Sequence, residues 1–139
     1  RLRYRPQQFQ QHRYWNFIEN IGTQAWFNLE HTAGLSIFQE DILMIPLLGH
    51  TAGHAGIAIK NNQRWLLYCG DAYYSQHQLN PNFHSRALNQ LERLFATDNT
   101  QRLHSLHKIQ QLAQQPDIDL ICAHDPFELA RYQNTSNDH

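Results

Sequence analysis

The apolar residues of this chain change spacing along its length, and each change marks a change of element. Up to residue 70 they come in short runs. Residues 25–29 and 42–48 are such runs, and Gly34 with Gln39-Glu40-Asp41 punctuates them as strand and turn. After a loop holding Gly49 and Gly53, residues 56–60 (GIAIK) and 65–70 (WLLYCG) flank the polar turn Asn61-Asn62-Gln63. Strand, polar turn and strand in so few residues predict an antiparallel hairpin. Beyond Asp71 the period becomes helical. Leu88, Leu91 and Phe95 predict a helix within 85–97, and Leu103, Leu106, Ile109 and Leu112 a second within 100–115, stopped by Pro116. Residues 118–123 (IDLICA) read as a short buried strand, and 126–132 (PFELARY) as a helix with Pro126 in its first turn. Ahead of these, residues 7–19 predict an irregular helix burying Phe9, Trp15 and Ile18, and the polar tail 134–139 is expected to fray. Strands, helices, strand, helix is an α/β order, and 139 residues make one domain, 1–139.

Composition narrows the function. With 11 Lys+Arg against 12 Asp+Glu, the net charge of -1 argues against a nucleic-acid binder working through a basic field. No apolar run approaches the ~18 residues of a membrane span. Two cysteines, Cys69 and Cys122, make a disulfide framework unexpected and favour a reducing, cytoplasmic compartment. The polar mass is amide, 16 Gln and 11 Asn against two lysines, and ten histidines supply an excess of the commonest metal-binding side chain. The chain starts at Arg1 and its one methionine is Met44, so we expect a piece of a longer reading frame.

Three segments repeat one plan: an apolar strand that ends in a possible metal ligand. Residues 42–48 end at Gly49-His50, 65–69 at Gly70-Asp71, and 118–123 at His124-Asp125. In layered α/β proteins ligands gather beyond strand ends, where loops supply side chains and the sheet supplies rigidity. Two imidazoles and a carboxylate emerging from neighbouring strand ends suit zinc, manganese or iron. Taken singly, a histidine after a strand is ordinarily a hydrogen-bonded surface residue, and Asp after Gly a turn residue. Three on one plan outweigh that reading. Cys69 and Cys122, each two residues before a candidate ligand, share its strand face, but small core residues are the ordinary account of buried cysteine. His104 and His107 fall on the second helix as a partly solvated pair.

Gly49-His50-Thr51-Ala52-Gly53-His54, then Gly70-Asp71-Ala72, then Ala123-His124-Asp125 resembles the C-terminal half of the metallo-β-lactamase superfamily, in its lactonase-like and general metallo-hydrolase branches. The resemblance is best over residues 42–132. It implies an α/β fold that is half of an αββα sandwich. It also implies that His50 is a ligand of a first metal, Asp71 a carboxylate bridging two metals, and His124 a ligand of the second. His54 would lie behind the ligands. Tyr74 resembles a tyrosine that points to the substrate carbonyl in lactonase-like members, with Tyr73 the alternative. The implied activity is hydrolysis of an ester, lactone, thioester or amide of a small-molecule substrate by metal-bound hydroxide, with two zinc ions in a complete domain, or iron or manganese. Catalytic roles fall to Tyr74 and Asp71, and metal ligation to His50, Asp71 and His124.

One departure weighs against activity. The superfamily's His-x-His-x-Asp-His signature is absent from all ten histidines. A catalytic zinc takes about three protein ligands, so three residues shared between two ions leave both short. The chain also looks too short for both sheets of the sandwich, which leaves apolar strands in want of cover. The expectations are therefore weak metal binding, no robust hydrolysis by the chain alone, and pairing with a missing N-terminal half or a second copy. The alternative is a non-catalytic α/β module that keeps the scaffold.

Overall fold

The computed structural model describes residues 24–27, 29–34 and 41–135, together with Gln7. Six strands form one sheet in chain order: β1 (Gln24–Trp26), β2 (Leu29–Gly34), β3 (Ile42–Pro46), β4 (Ala55–Asn61), β5 (Arg64–Tyr68) and β6 (Ile118–Ile121). Neighbours pair antiparallel from β1 to β5, and β6 lies parallel to β5. That parallel step needs a crossover. It is supplied by two 3-10 turns (Gly70–Ala72 and Gln76–Leu79) and two helices, α1 (Arg86–Phe95) and α2 (Asn99–Leu112). A third helix, α3 (Pro126–Thr135), follows β6. The irregular helix expected over 7–19 and its Phe9, Trp15 and Ile18 lie outside the described residues, as do 136–139. Helix α3 runs two residues into the stretch expected to fray.

The run 25–29 is a correction. It holds a hairpin turn where the apolar run suggested a single strand, with Trp26 paired to Leu29 and Phe27 at φ 46° between them. Trp26 and Leu29 both reach the core, which explains why apolar residues stand on both sides of the turn. The next strand, β2, continues through Glu30, His31 and Thr32, where backbone pairing and not hydrophobicity defines it, Thr32 to Gln24 of β1 and then Ala33 and Gly34 to β3.

Strand register sorts the sheet into two faces. Leu43, Ala58, Leu67 and Leu120 lie side by side in a row across β3, β4, β5 and β6, all buried. With Ile45, Leu47 and Ile118, and Ile109 and Leu112 of α2, they make the core. One residue out of phase, Met44, Ile57, Tyr68 and Ile121 form a row on the opposite face, beside Ile42, Ile59 and Leu66. Those side chains stay half-buried or exposed, Ile59 and Tyr68 at 42% and 45%. Period-two alternation decides which face each side chain takes, and here both faces are apolar.

The helices obey their caps better than their apolar stripes. Ser85 accepts from the Leu88 amide to start α1, and Asp98 accepts from the Thr100 and Gln101 amides to start α2. Yet Leu91, Leu94 and Phe95 of α1 are exposed, and its buried residue is Glu92. On α2, Leu103 is exposed while Arg102, Ser105, Ile109 and Leu112 face inward. Helical period located both elements; a polar residue took the inner face of α1, while on α2 Leu106, Ile109 and Leu112 of the apolar stripe pack the core beside Arg102 and Ser105.

Candidate metal centre

All three candidate ligands stand at the same end of the sheet. Leu47 and Leu48 lead from β3 into a tight loop, where the Gly49 amide donates to the Thr51 carbonyl at 3.0 Å. The crossover grips this loop from behind. The Thr97 and Asp98 amides donate to the Gly49 carbonyl at 2.9 and 3.0 Å, and the Ser105 hydroxyl donates to the Leu48 carbonyl at 2.7 Å. His50 is thus held rigidly and is buried, 8% exposed.

Asp71 and His124 are brought together by the parallel ladder. Past the strands proper, the Cys69 amide donates to the Ile121 carbonyl at 2.8 Å and the Ala123 amide to the Gly70 carbonyl at 3.0 Å. The two chains therefore leave the sheet side by side. Asp71 sits between two imidazoles, His50 Nε2 at 3.2 Å from one carboxylate oxygen and His124 Nε2 at 2.8 Å from the other.

His54 is the linchpin of the loop. Its Nδ1 lies 2.8 Å from the Leu47 carbonyl, and the Asp71 amide donates to its Nε2 at 3.1 Å. Those partners require the proton on Nδ1 and a bare Nε2. A neutral His54 therefore fixes the backbone of Asp71 against the end of β3. Gly70 makes room for it, since at φ 55° a Cβ there would lie 2.9 Å from His54 Nε2.

The two tyrosines divide cleanly. Tyr73 is fully buried and donates its hydroxyl to Glu128, 2.8 and 3.0 Å from the two carboxylate oxygens. Burial first, then the neighbouring Cys69 and Glu128, pushes that phenol well above the ordinary tyrosine range. Tyr74 is the one beside the candidate ligands, its ring 4.6 Å from His124 and 6.4 Å from His50. Burial likewise raises both thiols, Cys122 to about 12, so as neutral thiols Cys69 and Cys122 serve the core. His104 and His107 are exposed on α2.

The donor chemistry fits a metal centre in part. A carboxylate with one imidazole nitrogen at each oxygen suits a bridging ligand and one histidine for each of two ions. Among the described residues, however, no group of three His, Cys, Asp or Glu side chains is arranged to hold an ion by itself. Sequence reasoning missed the supports. Asp125 accepts from the Gln76 amide at 2.7 Å and the Phe127 amide at 2.9 Å, capping α3 while pinning the loop after Tyr74. Those backbone donors, acting against burial, hold the Asp125 carboxyl below its usual range. The Asp-Pro start of a helix was the available signal for that cap.

Known proteins resemble this chain in sequence and in fold. Probable metallo-hydrolases of Mycobacterium tuberculosis and Mycobacterium bovis are each 31% identical over 117 residues, covering 78% of this chain and 36% of theirs. An N-acyl homoserine lactone hydrolase, solved with N-hexanoyl-L-homoserine at its catalytic metal centre, superposes with a TM-score of 0.53 at 15% identity. That superposition covers 74% of this chain and 37% of the other. The fold is that of the metallo-β-lactamase superfamily. A quorum-quenching N-acyl homoserine lactone lactonase gives the same fold at a TM-score of 0.52 and 17% identity, over 72% of this chain and 37% of that one. No protein-family model matches the chain. The chain spans little more than a third of the length of the curated relatives it matches. The relatives' names imply metal-dependent hydrolysis, and no helix among the described residues is long and apolar enough to cross a membrane.

Proposed function

We propose that this chain is the C-terminal, ligand-bearing portion of a metallo-β-lactamase-fold hydrolase acting on a small-molecule ester, lactone, thioester or amide. The observation that carries this reading is Asp71, held between His50 and His124 at 3.2 and 2.8 Å at the ends of three strands. His50 would serve one ion, His124 the other, and Asp71 both. Zinc suits these donors, and iron or manganese also would. Ions bound there supply Lewis acidity that polarises a carbonyl and makes water acidic near neutral pH. Tyr74, packed on His124, would donate a hydrogen bond to a developing oxyanion, a contribution of about 3 kcal/mol in comparable sites.

Each ion is left short of ligands by this chain, so metal binding is weak and turnover by the chain alone is not robust. The missing His-x-His-x-Asp-His donors belong to an N-terminal half, and the apolar row of Met44, Ile57, Tyr68 and Ile121 is the surface that such a half, or a second copy of the chain, would cover. Free, buried cysteines suit a reducing cytoplasm.

One observation favours the alternative, a non-catalytic module: both oxygens of Asp71 already have an imidazole partner, so the triad closes on itself. A cobalt titration with a lactone and thioester panel separates the readings. The hydrolase reading expects weak cobalt uptake, lost in D71N and reduced in H124A, with little turnover. Uptake indifferent to D71N sinks it. Tight stoichiometric metal with fast lactone hydrolysis would show instead that the missing donors are dispensable.

A further inference from the structure

Glu128 has no part in the chemistry above, yet it is fully buried at 0% exposure in the first turn of α3. Its Oε2 accepts the Cys122 amide at 2.7 Å and its Oε1 the Tyr73 hydroxyl at 2.8 Å. Cys122 stands two residues before His124, and Tyr73 two residues after Asp71. One carboxylate therefore bridges the two loops that carry neighbouring candidate ligands.

The local sequence makes the placement unusual. Asp125 and Glu128 have the spacing of a helix capping box, in which the acidic residue at the third helical position returns to the amide of the cap. Asp125 does its half, accepting from the Phe127 and Glu128 amides at 2.9 and 3.4 Å. Glu128 turns away from the helix and bonds to the sheet end instead. Burying a carboxylate is costly unless it is well hydrogen-bonded, so an apolar side chain would fill the position more cheaply if packing were the whole need.

We infer that Glu128 is a positioning residue, which sets the separation of Asp71 and His124 by holding Tyr73 and the Cys122 amide to one buried carboxylate. Without it the loops keep the ladder bonds at their base, Cys69 amide to Ile121 carbonyl and Ala123 amide to Gly70 carbonyl, the bond from the Gln76 amide to Asp125 farther out, and the contact of Asp71 with His124 itself, but no buried link between them. The inference rests on the ligand assignment above, and its test keeps the two apart. E128A, E128Q and Y73F are compared with the wild-type chain by amide hydrogen exchange without metal, and by cobalt titration followed through its visible absorption.

E128A is expected to speed exchange in both 69–75 and 121–125 more than in β3 and β4, and to weaken cobalt binding about 10- to 100-fold, the usual loss for a supporting residue. E128Q, whose amide can accept from Cys122 and donate to the Tyr73 oxygen, is expected to stay near wild type in both. Should E128A not fold, Y73F, which loses one hydroxyl, is expected to show the same local pattern in smaller degree. Exchange that rises evenly across the sheet, or not at all in the two loops, overturns the inference. If the wild-type chain takes up no cobalt, the ligand assignment falls, and the exchange comparison still decides the role of Glu128.

Discussion

Gly49 holds φ at 122°, and a Cβ built on it would lie 2.0 Å from the Arg102 amide nitrogen, whereas nothing lies within 4 Å of a Cβ on Gly53. The two glycines of one motif therefore answer to different needs. G49A must push the loop off α2, and we expect a loss on the order of 4 kcal/mol or outright failure to fold. G53A should stay within about 0.5 kcal/mol of wild type. Thermal melts of both variants check this, and equal losses would refute the account of the loop. That His50, Asp71 and His124 stand at strand ends was legible residue by residue, because a polar residue closing an apolar run is a pattern in sequence. The tautomer of His54 was not, since it depends on the Leu47 carbonyl and Asp71 amide that meet it only after folding.

Helices α1 and α2 are joined by a charge pair and not by the leucines their period promised. Arg102 and Glu92 are 2% and 3% exposed and bond at 2.8 Å, with Gln78 and Asn89 completing the network. E92A would strand a buried guanidinium, at a cost of about 3–5 kcal/mol, while E92Q keeps one of the two acceptor oxygens, able to accept from Arg102, and loses less. Burial raises the Glu92 pKa above the ordinary carboxylate value, although Gln78 and Arg102 pull the other way. The unfolded chain therefore ionises first as pH rises. The stability that protonated Glu92 lends is complete below about pH 4.5 and falls as pH climbs through the raised folded value. Urea unfolding at steps from pH 4 upward should show this decline in the wild-type chain and its absence in E92Q. An identical slope in both would refute it. Helix existence was legible from period and caps, and so was most of the inner face of α2, but the inner face of α1 was not, because a period reports where leucines recur and not which neighbours are present to cover them.

At the scale of the molecule, the described residues cover the sheet on one face and leave a half-buried apolar row on the other. L67A on the covered face should cost about 2–5 kcal/mol. A double variant, I59K with Y68K, changes two half-exposed side chains and should leave the melting temperature close to wild type while reducing self-association and binding of an apolar dye. Sedimentation and dye fluorescence check this, and destabilisation equal to that of L67A would mean that the outer face is already packed within the chain. Sequence alone determined the α/β order, the β4–β5 hairpin, the helices of the crossover and the three polar residues at strand ends, His50, Asp71 and His124, since each is written in local spacing. Tertiary structure alone decided that 25–29 turns back on itself, that Tyr73 goes inward while Tyr74 flanks the ligands, and that Glu92, Arg102 and Glu128 are buried. Local spacing reports what a segment tends to form, whereas burial and hydrogen-bond partners depend on groups distant in the chain, which only the folded register brings together.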